Sequence, residues 1–225
     1  MTAPGSAVVT HVCRVARLRP DAGTVGVTAI DKHPVDGPER VGAYGLRGDV
    51  QADRQHHGGR EKALYAVDQA EADHWAGQLA EPVPPGRFGE NLRVAGLAVD
   101  DAEIGERWRI GETLEIEVTG PRTPCATFGR WLGQERWVRR FSDHGRTGAY
   151  LRVLTPGPIQ AGDRVEVTHR PGHGVSVTRW FTGRRPEDAR ALLAHEEATG
   201  WAMAEYLREH VLRAAERPAQ LAGER

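Results

Sequence analysis

Glycine and proline cut the first 170 residues into apolar runs too short for anything but strands and brief helices, and this punctuation constrains the fold more than any other feature. The whole chain of 225 residues carries 27 glycines and 14 prolines. A run bounded in this way reads as strand when apolar and polar residues alternate. Val8–Arg17 is the first, marked by Val8, Val12 and Val15, and Cys13 lies inside it as a core residue. Val25–Ile30 and the glycine-rich Val41–Leu46 read as the second and third. Arg107–Ile110 and Thr113–Thr119 form a hairpin across Gly111-Glu112, and Thr147–Leu154 and Gly162–Thr168 are the last strands. Helices are expected at Lys62–Leu79, where Leu64, Val67, Ala70 and Trp75 recur near helical spacing, at Ala126–Leu132 and at Gln134–Phe141. Many short strands with few helices imply an α+β fold that is mainly β, barrel-like, with helices packed outside.

After Pro171 the pattern changes. Pro186 opens one helical segment, and Met203, Leu207 and Val211 mark another at four-residue steps. Three short helices at Val175–Phe181, Pro186–Glu196 and Gly200–Ala215 are expected, with Trp180 and Trp201 as their small core. The division is residues 1–170 and 171–225.

Chemistry concentrates in three stretches. In Gly120-Pro121-Arg122-Thr123-Pro124-Cys125 two prolines stop the strand that ends at Gly120 and force a turn. Cys125 follows that turn at the start of a helix, where unpaired N–H groups and Arg122 would lower a thiol pKa. An ordinary buried thiol is the alternative, since free cysteine is among the most buried residue types. In Gly48-Asp49 through Lys62 polar residues crowd before a double glycine. There the Gly58-Gly59 turn, Arg60 and Lys62 offer N–H groups and cations to an anion such as phosphate. Lys62 is one of only two lysines among thirty basic residues, the other being Lys32. The third stretch is Phe88-Gly89-Glu90-Asn91-Leu92.

Charge and cysteine usage narrow the function. A net charge of −1 asks for no nucleic acid, and two cysteines allow neither a disulfide framework nor an iron–sulfur cluster. No stretch is long enough to span a bilayer, so a cytoplasmic location with no membrane partner is expected.

Taken in order, the three stretches resemble the MOSC domain, the molybdenum cofactor sulfurase C-terminal domain, and the helical tail resembles the three-helix appendage of its YiiM-type members. The resemblance implies that Cys125 supplies the one protein thiolate to the metal of a molybdenum cofactor. The activity it implies is reduction of N-hydroxylated substrates, N-hydroxylaminopurine bases in particular, to amines. Independently, a soft thiolate suits an ion already held by sulfur. The pterin phosphate would take Gly58, Gly59, Arg60 and Lys62, within reach of Arg122. Asp49, Asp53, His57 and Asn91 would line the pocket or orient its loops. An Asx turn after Gly48 is the alternative for Asp49, and His57 would donate a proton to the leaving oxygen or be structural. Glu90 would hold its loop by backbone hydrogen bonds, while His56, His144 and Arg146 read as solvated.

The chain has no strand–GxGxxG–helix dinucleotide motif. Electrons must therefore come from a separate flavin or iron–sulfur reductase, and a homodimer is compatible with the resemblance. A non-catalytic carrier of sulfur or of the cofactor competes with the enzyme, because both need Cys125 and an anion site. A zinc hydrolase using His56, His57 and a carboxylate of Asp49 or Asp53 ranks lower, since adjacent side chains diverge on a strand or a helix. Schiff-base chemistry at Lys62 has no supporting pattern.

Overall fold

The structure, a computed structural model, describes residues 7–51 and 58–217. Its strands are β1 (Val8–Val15), β2 (Arg19–Pro20), β3 (Val27–Thr28), β4 (Lys32–Pro34), β5 (Glu39–Gly42), β6 (Gly45–Leu46), β7 (Leu64–Asp68), β8 (Leu92–Ala95), β9 (Arg107–Ile110), β10 (Leu114–Pro121), β11 (Ala149–Thr155), β12 (Gly157–Ile159) and β13 (Val165–His169). The helices are α1 (Gln69–Leu79), α2 (Ala126–Leu132), α3 (Trp137–His144), α4 (Val177–Gly183), α5 (Pro186–Thr199) and α6 (Glu205–Ala215).

Eight strands form one sheet in the order β13-β9-β10-β11-β7-β8-β1-β4. All its pairs are antiparallel except β7 with β8, which α1 connects. The sheet curls until its ends meet. Val8 bridges Arg164, Val9 N donates to Asp163 O, and Val165 N donates to Ala7 O. The mixed α+β, barrel-like expectation holds, with a short seam in place of a full closing ladder.

Two of the expected elements differ. The segment Lys62–Leu79 is not one helix: Leu64–Asp68 is a strand, and only from Gln69 does the chain turn helical. Leu64 and Ala66 face the interior cluster with Leu92, Ile116 and Leu151, whereas Tyr65 and Val67 face a second cluster under α1 to α3. A strand buried on both faces has no alternation to show, and its apolar residues mimic helical spacing. Asp68 then caps α1 by accepting from Ala70 N at 2.9 Å. The second difference is that β10 runs through Gly120 to Pro121 rather than stopping. A register shift between Val118 and Gly120 precedes pairing of Pro121 with Ala149, and a proline is tolerated at such a strand end.

Smaller departures follow the same logic. The expected Val41–Leu46 strand is the tight β5–β6 hairpin, Val25–Ile30 keeps strand only at Val27–Thr28, and α3 runs to His144. The outer aromatic cluster of Trp75, Phe88, Phe128, Trp137 and Phe141 fixes α1 to α3 on the sheet. Helices α4 to α6 gather Trp180, Leu192, Trp201, Leu207 and Val211 around Ile104. Trp201 also donates its indole N–H to buried Glu117 of β10 at 2.9 Å.

Candidate functional site

A cleft of about 360 Å³ opens where the start of α2 faces the β2–β3 arm, β4, the loop after β6 and the 3-10 turn at Arg60–Lys62. Cys125 lies on its wall as the residue that caps α2, and its carbonyl accepts the first helical bond from Gly129 N. The short segment Arg122-Thr123-Pro124 between the end of β10 and α2 is what places it there. The other thiol has a different setting. Cys13 is fully buried in β1, and burial pushes its pKa up to about 12, so it stays protonated. Cys125 is half-buried beside the cleft.

Arg122, also in the lining, is 6% exposed, its guanidinium carbon 3.8 Å from the centroid of the Phe128 ring. Its Nη1 has no hydrogen-bond partner among the described residues. A buried donor left over in this way costs free energy until an acceptor arrives. Asp49, in the same lining, is no Asx turn. Its carboxylate accepts from Val15 N (2.9 Å), Lys32 Nζ (2.7 Å) and Asn91 Nδ2 (2.8 Å). Asn91 also donates to Cys13 O and accepts from Tyr65 N, so Asp49 and Asn91 pin three separate segments into one floor.

Of the residues singled out from sequence, Cys125, Arg122, Lys62, Asn91 and Asp49 come together in this cleft. Gly58, Gly59 and Arg60 are not in its lining. Gly59 N donates instead to Gln51 Oε1, and Arg60 lies over the Tyr44 ring. Asp53, His56 and His57 lie outside the described residues. Glu90 holds its loop, accepting from Gly86 N and Phe88 N. His144 and Arg146 are not solvated loop residues. They are half-buried partners of Glu71, and Arg146 also reaches Asp101.

Sequence reasoning missed Lys32, Tyr65, Tyr150, Arg130 and the arm around Asp21–Ile30 that forms the outer wall. Asp21 ties that arm to α2, accepting from Thr127 Oγ1 and Arg130, whose guanidinium holds the carboxyl well below its usual range. The signal for Lys32 was available, because both lysines of this arginine-rich chain line the same cleft. Its described lining holds four cations (Lys32, Lys62, Arg122, Arg130) and two carboxylates (Asp21, Asp49), an excess of two positive charges. An anion with oxygen acceptors and a soft metal beside Cys125 fits these residues.

The described residues contain no cluster of three or more metal-ligating side chains, and none of their helices is long and apolar enough to cross a membrane.

Residues 53–166 match the MOSC domain family. The chain is 34% identical over 170 residues to YflK of Bacillus subtilis, which covers 75% of this chain and 76% of that protein. It is 33% identical over 147 residues to YiiM of Escherichia coli, covering 64% of this chain and 65% of YiiM. A Gibberella moniliformis protein named Reductase is 33% identical over 165 residues, 70% of this chain but only 29% of that protein. Among solved structures, YiiM from Geobacillus stearothermophilus superposes with a TM-score of 0.74 at 23% identity, over 92% of this chain and 98% of that one.

Proposed function

We propose that this chain, which belongs to the MOSC domain family and so to molybdenum-cofactor chemistry, binds a molybdenum–pterin cofactor in the cleft and reduces N-hydroxylated small molecules to amines. The observation that carries the reading is the buried Arg122 Nη1, short of an acceptor, beside a cleft-facing thiol and both lysines. When bound, the cofactor supplies a two-electron centre able to accept the oxygen of an N–OH group.

The chain's own residues do the rest. Cys125 Sγ is the metal ligand. Arg122 and Lys62 hold the pterin's anionic group, Arg122 through the Nη1 that has no partner among the described residues. The Lys32–Asp49–Asn91 floor keeps the cleft open and its loops in register. Tyr65, Phe88 and Tyr150 keep water from the inner wall, and Val25 and Val27 give the mouth an apolar lip suited to a flat base. Turnover adds two electrons and two protons to the N–OH group and releases amine and water. His57 and Asp53 are proposed to bring protons. The electrons come from a separate flavin or iron–sulfur reductase, since no dinucleotide motif is present.

The test is to purify the protein from a host that makes the cofactor, then measure bound molybdenum and reduction of N-hydroxylated bases with an artificial reductant. Wild type should carry metal and turn over. Cys125→Ala should keep its melting temperature and lose metal and activity by at least the ~100-fold that even outer-shell changes cost at metal sites. Bound cofactor without turnover in wild type would replace the enzyme with a carrier.

A further inference from the structure

We propose that Tyr206, on the C-terminal helix α6, is a positioning residue of the cleft, its ring carrying the Lys62 ammonium and directing it at the bound anion. The proposal rests on the anion-binding reading above. Lys62 Nζ lies 4.2 Å from the centroid of the Tyr206 ring and 5.5 Å from that of Tyr150, well within cation–π range. Tyr150 lines the cleft and Tyr206 does not, so the ammonium is gripped from the cleft wall and from behind it. The two rings stand perpendicular, 6.5 Å apart.

The ring behind is fixed in place. Tyr206 OH donates to Thr119 Oγ1 at 3.2 Å, and Thr119 donates to Glu61 O at 2.7 Å. Glu205 N, at the first residue of α6, donates to Glu61 Oε1 at 2.7 Å. The residue before Lys62 is thus held through both its carbonyl and its side chain by α6 and β10. Gly120 makes room for the contact, since a Cβ there would fall 2.9 Å from Tyr206 OH, on backbone at φ +150° that side chains rarely adopt. Burial pushes the Tyr206 phenol up, so the ring stays neutral and presents its π-face to the cation. A helix that only packed against the sheet would need none of these contacts with the turn carrying Lys62.

With only two lysines in the chain, ¹³C,¹⁵N-lysine labelling gives two side-chain signals, assigned through Lys62→Gln. In wild type the Lys62 terminal methylene should lie upfield of Lys32 through ring currents. Tyr206→Met and Tyr206→Leu should move it toward the position of a solvated lysine, and Tyr206→Phe, which keeps the ring, should restore it. Calorimetric titration of the cofactor-free full chain with inorganic pyrophosphate should show about five- to thirtyfold weaker binding for the Met and Leu variants and a change within about twofold for Phe. Lys62→Gln and Lys62→Gln/Tyr206→Met should bind equally, because the tyrosine acts through the lysine. A Lys62 signal without the upfield shift in wild type, or unmoved by loss of the ring, overturns the proposal. So does a double variant weaker than Lys62→Gln by the full Tyr206→Met factor. If wild type ignores pyrophosphate while the Lys62 signal still follows the ring, the anion site proposed for the cleft is withdrawn and the positioning contact stands.

Discussion

Two buried arginines, Arg93 and Arg122, are handled in opposite ways. Arg93 is fully buried and every side of it is answered: Glu90 takes its Nε and Nη2, and the carbonyls of Val83 and Pro84 take the outer nitrogens. Glu90 in turn accepts from two backbone N–H groups of its own loop. Arg122 is nearly as buried, yet it lies on an aromatic ring with Nη1 unanswered. A closed network of this kind specifies a fold, and an open one beside a cleft leaves room for something the chain does not encode. The two thiols divide the same way, Cys13 sealed inside the wall and Cys125 on the cleft.

Thiol chemistry gives the widest contrast. Alkylation of the native protein at pH 8, read by mass spectrometry, should modify Cys125 and leave Cys13, with rates more than ~10³ apart. A pKa of about 12 leaves Cys13 only about one thiolate in ten thousand, before access is counted. Comparable labelling of both would erase the distinction. Next comes stability in urea. Glu90→Ala strands a buried guanidinium and should cost about 3–5 kcal/mol. Arg122→Met should cost less than that, because Nη1 has no hydrogen bond to lose and the loss is confined to contacts with Phe128, Tyr65 and Tyr150. Equal losses would mean that Arg122 is as structural as Arg93.

Asp100 sharpens the comparison further. It too has an unanswered atom, Oδ2, but it is not in the lining of the Cys125 cleft, and its Oδ1 is taken by Gly148 N. Burial pushes its pKa up from 3.8 to about 6. The folded state therefore holds this proton more tightly than the unfolded one, and the contribution of Asp100 to stability falls as pH rises from about 4 to about 6. Asp100→Asn should flatten that slope and gain up to about 3 kcal/mol above pH 6, measured by denaturation across pH 4–8. A slope unchanged by the substitution would mean Oδ2 has a donor after all.

What could be read from sequence was whatever neighbours along the chain decide. The β9–β10 hairpin, the helix after Cys125 and the helical segments following Pro186 all rest on local periodicity and punctuation. The strand at Leu64–Asp68 escaped because burial on both faces removes the alternation that marks a strand. Within the cleft, the residues standing in compact motifs came together. Tyr150 and the Asp21–Ile30 arm did not announce themselves, since strand pairing with Gly120 and the Asp21 bonds to α2 bring them near Cys125 from far along the chain. Arg60 misled because a cation beside a glycine turn has no direction until Tyr44 gives it one.

The lining of the cleft runs from Asp21 to Tyr150, and no short piece of it would make a receptor by itself. A site assembled from contacts so remote in the chain can exist only after the sheet has rolled up, since long loops must close first. Any guest of this cleft is therefore admitted by a finished protein, through a doorway already built. Loading becomes a separate event from folding, with its own rate and its own supplier.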